Sequence, residues 1–449
     1  MHSLRHDWLH RPTHRKVWLL AGPMILSNLT VPLVSLVDST VAGHLPHAGQ
    51  LAAVAVGSAV YALPVWVFGF LRMGTIGFAA QASGRADGDA LRRLLVQAML
   101  LALGLAGAVL LLALPLLGPL LQLMKPSSTL DALTQTYLHI RLFGLPAALA
   151  NAALVGWFLG MHNAGMALRV TVVTNLVNIA LNLFFVFGLH GGVAGIAVAS
   201  VCGEWIGVLT GLAAIPRQLL RYPGQLCRGA LQSWAAWRPL LTVNRDILIR
   251  SLVLQAVFFA VTVLGARLGS GVVAANALLL NGLILAAFAL DGLANAVEAL
   301  TGAAIGAGRR LALRRALVVA GGWSLLGSLL FAAFFGLAGH MFIDVQTNLT
   351  NVRAIAYQYL PYLALLPLIG VWSYLLDGLF VGATRAREMR DAMLLAGVIF
   401  VLLAFGLRSW GNHGLWLALL GFMLVRAAAM AWLAQRIANR GGWVPHAID

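Results

Sequence analysis

The chain has 449 residues, 61% of them hydrophobic and 10% charged, with a mean hydropathy of +0.88 and a formal net charge of +16. A water-soluble globule is excluded first, because too little polar surface is left to cover one. Two cysteines without a recurring spacing exclude a disulfide framework or a cysteine metal site, and no loop is long enough to fold a nucleic-acid recognition domain behind the positive charge.

Residues 1–16 carry Arg5, Arg11, Arg15 and Lys16 and no small-residue cleavage site after a short apolar core, so they read as a retained cytoplasmic tail. Apolar stretches of bilayer length follow near 17–43, 51–82, 94–123, 132–160, 166–189 and 192–216. Residues 217–245 form a basic linker with Pro223-Gly224, Trp234 and Trp237, expected along the inner interface. Six further stretches follow near 246–268, 271–305, 316–343, 354–383, 391–410 and 413–437, and residues 438–449 form a second cytoplasmic tail. The expected domains are therefore an amino-terminal lobe over 17–216 and a carboxy-terminal lobe over 246–437.

The second lobe rewrites the first, 222 positions later. Leu91-Arg92-Arg93 returns as Leu313-Arg314-Arg315, Tyr137-Leu138 as Tyr359-Leu360, Gly156 and Gly160 as Gly378 and Gly382, and Gly192 as Gly414. Six helices return the chain to its starting side, which predicts an all-α polytopic membrane protein of twelve transmembrane helices in two parallel six-helix repeats. Lys and Arg are sorted by side. The tails and the even-numbered connections take 22 of the 30, and Lys125, Arg267, Arg353 and Arg408 alone fall on the other face, so both termini are expected in the cytoplasm.

Ionisable residues inside the bilayer are costly and need a reason. In chain order they are Asp38, Glu204, Asp291, Glu298 and Asp377, and the 222-residue offset carries them onto Ala260, Arg426, Gly69, Ile76 and Val155. The scaffold repeats and the charge does not, so the acids read as specialisation of one half or the other. Asp291, Asn295 and Glu298 share one helix face at i, i+4 and i+7, which suits a second proton or cation site, or equally a salt bridge with Arg250. Glu204, beside Trp205, suits either contact with a cation or a structural pair with an arginine. Arg72, Arg141, Arg250 and Arg426 are candidate charge partners of these acids. Trp66, Phe70 and Met73, at i, i+4 and i+7, read as packing before substrate contact.

Gly22-Pro23 and Val37-Asp38 in the first stretch, the Gln81–Gly84 end of the second, and Gly156–Gly160 with Gly378–Gly382 together resemble the multidrug and toxic compound extrusion (MATE) transporters. Asn244-Arg245-Asp246 with Arg250-Ser251, Leu376-Asp377-Gly378 to Gly382-Ala383-Thr384-Arg385, and Gly411-Asn412-His413-Gly414 resemble the DNA-damage-inducible protein F branch. The resemblance covers nearly the whole chain and implies a V-shaped, two-lobe arrangement in a bacterial inner membrane, a monomer, and cation-driven export of small organic molecules. It also places Asp38 in a polar cluster with Asn178, Asn182 and Ser200. Relatives often carry Asp at position 182 and Thr at position 200. Losing the second carboxylate leaves Asp38 as the proton carrier and disfavours bound sodium, which needs a fuller oxygen cage.

The reading that follows is a proton-coupled antiporter for amphipathic, often cationic, organic compounds, working by alternating access, with Pro23 and Pro32 as the points where the first helix bends. No enzyme is expected, since no His or Cys lies in helical register with the acids to form a catalytic cluster. No metal or cofactor beyond the coupling proton is expected, and the partners are the bilayer and the substrate. The alternative is a flippase of a lipid-linked precursor, which would line its cavity with several arginines for pyrophosphate.

Overall fold

The computed structural model describes residues 2–45, 47–123, 128–226 and 228–444. Lys125 and Cys227 therefore lie outside the described residues. The elements are α1 (His2–Trp8), α2 (Arg11–Gly43), α3 (Ala48–Val67), α4 (Phe70–Gly84), α5 (Gly88–Leu123), α6 (Ser128–Leu142), α7 (Leu145–Gly160) and α8 (Ala164–Leu183). After a π-helical turn over Phe184–Gly188 come α9 (Gly192–Leu219), α10 (Arg228–Gln232), α11 (Trp234–Arg267), α12 (Ser270–Gly306), α13 (Arg310–Gln346), α14 (Thr350–Gly382), α15 (Ala386–Gly406) and α16 (Gly411–Asn439). Among the described residues ten helical segments are long and apolar enough to cross a membrane, and the α6–α7 pair, bent by 44°, makes an eleventh. The 33-residue α2 occupies the first of the twelve expected stretches. The chain is an all-α, multi-pass membrane protein of two six-span repeats.

Two stretches break where the backbone ladder is interrupted. Pro64 closes α3 one turn before the Phe68-Gly69 step that leads into α4, and Pro146 stands in the first turn of α7 after Gly144. By contrast α2 runs on as a single helix through Pro23 and Pro32; the side chain of Pro32 lies outside the described residues.

The repeat is visible at atomic contacts. A Cβ on Gly156 would stand 2.5 Å from the Arg72 carbonyl oxygen and one on Gly160 would stand 2.7 Å from that of Ile76. Shifted by 222, Gly378 meets the Ala294 carbonyl at 2.7 Å and Gly382 that of Glu298 at 2.5 Å. The two glycine pairs thus allow α7 on α4, and α14 on α12, to approach backbone to backbone. The helix ends repeat as well. Asp87 N–H donates to the Ala82 carbonyl at 2.9 Å with Ala86 at φ 55°, and Arg309 N–H donates to that of Ala304 at 2.9 Å with Gly308 at φ 70°.

The chain divides into two compact units, Leu26–Leu240 and Met1–Ile25 with Leu241–Asp449. The division falls inside α2, two residues beyond Pro23. The amino-terminal segment is a docked element: Asp7 accepts from Arg314 at 2.8 Å and from Arg315 at 3.4 Å, and Trp8 fills the space over Gly322. His14 closes the contact, taking a hydrogen bond from the Trp323 indole at 2.9 Å. The carboxy-terminal segment docks on the same unit, where the Trp443 ring meets Phe380 and the Arg385 guanidinium donates to the Gly442 carbonyl at 2.9 Å. In the linker, Tyr222 and Gln225 are pinned to the start of α5 by Arg92 and Asp89, and Trp234 opens α11 as part of the helix.

Candidate functional site: two intramembrane charge clusters

In the unit Leu26–Leu240, Asp38 of α2 meets the amide face of α8. Asn182 donates to the Asp38 carboxylate at 2.5 Å and to the Asn178 Oδ1 at 3.3 Å. Asn178 donates in turn to Ser200 Oγ on α9 at 2.8 Å, and Ser200 donates to the Ile196 carbonyl at 3.1 Å. The four residues picked out above are therefore contiguous. The helical spacing of Asn178 and Asn182 stacks their amides, and the close approach of α9, where Gly203 stands against the Thr174 carbonyl, brings Ser200 beneath them. Asn182 is fully buried and its Oδ1 has no hydrogen-bond partner among the described residues, whereas Asp38 is half-buried. The cluster holds one ionisable group at the end of neutral ones.

Glu204 of α9 lies in the same unit, and the structure decides between its two readings in favour of an arginine partner. The Arg141 guanidinium on α6 donates both Nη groups to the two carboxylate oxygens at 2.8 Å, a bidentate fork. Tyr61 donates to Glu204 at 3.1 Å and presents its ring 3.8 Å beneath the guanidinium. Gly144 makes room for the fork, since a Cβ there would stand 2.2 Å from Glu204 Oε2. Tyr61 was not among the expected residues. No sequence signal marks it, because Tyr61 lies on the second apolar stretch and Arg141 on the fourth, with no fixed register between them.

The other unit holds the second cluster. Arg250 of α11 and Arg426 of α16 both donate through Nη2 to one oxygen, Oδ2, of Asp377 on α14. The pairing of Arg250 with Glu298 that helix position suggests is thus replaced by one with Asp377, because α14 brings its carboxylate between α11 and α16. The Tyr374 ring lies one turn before it, 6.0 Å from the Arg426 guanidinium. Asn295 and Glu298 are buried on α12 where Gly378 and Gly382 pack, and Asp291 and Glu298 have polar contacts of their own, as does Arg72. Asp377 faces two guanidinium groups, so a cation at that oxygen would have to displace both. The triad carries a net charge of +1 inside the bilayer.

Comparison with known sequences now bears on this geometry. The MatE family profile matches residues 23–184 and again residues 247–409, once in each repeat. The chain belongs to the MatE family. This MATE transporter is 43% identical over 430 residues to DNA damage-inducible protein F of Escherichia coli (strain K12), covering 96% of this chain and 94% of that protein, which places it in that branch. It is 27% identical to a probable multidrug resistance protein NorM of Rhizobium meliloti (strain 1021), over 97% of this chain and 96% of the relative. Among solved structures, a MATE protein in the bent conformation superposes with a TM-score of 0.85 at 20% identity, covering 95% and 96% of the two chains. A transporter from Pyrococcus furiosus Vc1 superposes with a TM-score of 0.84, also at 20% identity, over 95% and 96%. At that identity the likeness establishes the fold of this MATE transporter.

Proposed function

We propose that this MATE transporter is a proton-coupled antiporter of a bacterial inner membrane, with both termini in the cytoplasm, that exports amphipathic and often cationic organic compounds by alternating access. The observation that carries the reading is the hydrogen-bonded chain that joins Asp38 to Asn182, Asn178 and Ser200, in which the Asn182 amide donates to the carboxylate while Asn182 and Asn178 also donate onward, away from it. The N–H donated by Asn182 suits an ionised Asp38. A protonated carboxyl becomes a donor and needs an acceptor, and Asn182 Oδ1, buried and without another partner among the described residues, supplies one when its amide makes a half-turn. Proton uptake would thus reverse the contact between α2 and α8 and free α2 to move about Pro23. Removing the charge also removes the main electrostatic reason for a cationic substrate to stay.

One carboxylate suffices for a proton, whereas sodium would need several charged or carbonyl oxygens, so the cluster favours proton over sodium. Exchange of one proton for one monovalent cation moves no net charge, leaving the pH gradient as the drive at about 1.4 kcal/mol per unit. The distribution of arginines disfavours the flippase reading: Arg141 is neutralised by Glu204, and Arg250 with Arg426 exceeds Asp377 by a single charge, short of what a pyrophosphate demands. The protein is read as a monomer without nucleic-acid partners or enzymatic activity. Proteoliposomes with separately imposed gradients test the reading. Substrate flux should follow the pH gradient and stay at background under a sodium gradient alone; sodium-driven flux that Asp38→Asn leaves intact would overturn it.

A further inference from the structure

The segment ahead of the first span is held more firmly than a basic tail requires. α1 packs on α13, where Asp7, 3% exposed, accepts from Arg314 at 2.8 Å and from Arg315 at 3.4 Å. The Trp8 ring occupies the space over Gly322, and a Cβ at that glycine would collide with it. His14, in the first turn of α2, closes the contact: its Nε2 bonds the Trp8 carbonyl and its Nδ1 bonds the Trp323 indole N–H at 2.9 Å. A carbonyl only accepts and an indole N–H only donates, so the ring carries its proton on Nε2 and a lone pair on Nδ1. The contact therefore fits neutral imidazole alone. Further along α2, Val17, Leu20, Ala21 and Met24 form a buried stripe at helical spacing, and Ile25 sits close against Gly292 of α12.

We infer that this segment is a pH-sensitive clasp with His14 as its catch, closed while His14 is neutral and opened when a proton on Nδ1 turns the Trp323 contact into a meeting of two N–H groups. Histidine suits the role because it changes charge near neutral pH. His14 is half-buried, so protons reach it. The neighbouring charges favour opening once it is protonated. On α13 they are Arg314 and Arg315; on the segment itself Arg11, Arg15 and Lys16 are exposed and His6 and His10 are titratable. Asp7 alone is acidic there, and it is already shared by two guanidinium groups. The consequence rests on the topology and proton coupling proposed above: the pH sensed is that of the cytoplasm, and the closed clasp fixes the end of α2 against which the Asp38 segment moves. Proton entry that acidifies the cytoplasm releases that end and slows further exchange.

Hydrogen exchange of the purified full-length protein in detergent tests the clasp with no gradient or substrate, so its failure is distinct from that of the export reading. Amides of residues 4–14, corrected for the intrinsic pH dependence of exchange, should be about tenfold less protected at about pH 5.5 than at about pH 7.5. His14→Gln keeps one donor and one acceptor and takes up no proton, so it should stay protected at both. Trp8→Ala should be unprotected at both, and His10→Gln should respond as the wild type does. Equal protection of the wild-type segment at the two pH values overturns the proposal, as does a loss at low pH that His14→Gln does not prevent. Flux of ethidium, an aromatic cation, into proteoliposomes under a fixed pH difference reads the regulatory role. Making both compartments more acidic by about one unit should slow the wild type several-fold more than His14→Gln, and identical profiles would remove that role. Wild-type protein that moves no ethidium at any pH counts against the export reading, with the exchange result still deciding the clasp.

Discussion

Glu204 and Arg426 stand at equivalent positions of the two repeats and carry opposite charges. Each is met by a partner from the equivalent neighbouring span, Arg141 on α6 in one unit and Asp377 on α14 in the other. The repeat thus preserves a place where two helices cross and an ion pair is tolerated, and leaves its polarity open. In the first unit the Arg141–Glu204 pair is filled and neutral, with Tyr61 completing it, and Asp38 stands at the end of an amide chain. In the second, Arg250 joins the pair and tips it to +1. The two halves of a duplicated scaffold have in this way acquired ion clusters of different composition, a one-to-one Arg141–Glu204 pair and a two-to-one Arg250–Asp377–Arg426 triad.

The largest effect that sharpens this contrast is on transport. Asp38→Asn should take pH-driven flux in liposomes to background, because the amide mimics the neutral carboxyl and cannot release a proton, while the purified protein stays monodisperse. Robust flux in that variant would remove the coupling role from the first unit.

Stability separates the two ion clusters next. Asp377→Asn leaves two guanidinium groups buried side by side and should lower stability by about 3–5 kcal/mol, more than Arg250→Gln, which leaves a one-to-one pair. Arg141→Gln and Glu204→Gln should instead cost similar amounts as single variants, with the double variant recovering about 1–3 kcal/mol of their sum. Thermal melts that rank Asp377→Asn as the mildest of the set would break the comparison.

Where the repeats agree, substitutions should agree too. Gly156→Ala and Gly378→Ala each push a methyl group against a carbonyl oxygen of the facing helix, and each should cost about 1–3 kcal/mol, read as matched losses in melting temperature. A loss in one repeat alone would mean that the shared crossing is not what the glycines serve.

The smallest effect is expected at Ser200→Ala. The Asn178 amide then loses one acceptor, at about 0.5–1.5 kcal/mol, and flux should fall no more than about threefold since Asn182 still reaches Asp38.

Much of the first cluster was legible in the chain because its logic is local. Asp38 is conspicuous as a carboxylate in an apolar run; the resemblance to MATE transporters placed Asn178, Asn182 and Ser200 beside it, and helical spacing puts the two asparagines on one face. The second cluster was legible only as a set of charges. Arg250, Asp377 and Arg426 lie on three spans with no fixed register between them, so helix position suggested Glu298 as the partner of Arg250 where the fold supplies Asp377. The docked amino-terminal segment was missed for the same reason: Asp7 and Trp8 find Arg314, Arg315 and Trp323 some three hundred residues away, and nothing in a short basic tail announces such a contact.

Composition, the length of the apolar runs and the 222-residue offset determined by themselves that this is a twelve-span membrane protein written twice, since a bilayer dictates helix length and a helix dictates which neighbours share a face. The glycines that repeat at that offset already marked where backbones approach. Tertiary structure alone decided which charges meet, because ion pairing depends on the angle and rotation of separate helices and both are invisible along a single one. It decided as well that Glu204 is satisfied while Arg426 and Arg250 are not. That distinction rests on how many N–H groups find an oxygen within hydrogen-bonding distance, and on nothing that the order of residues records.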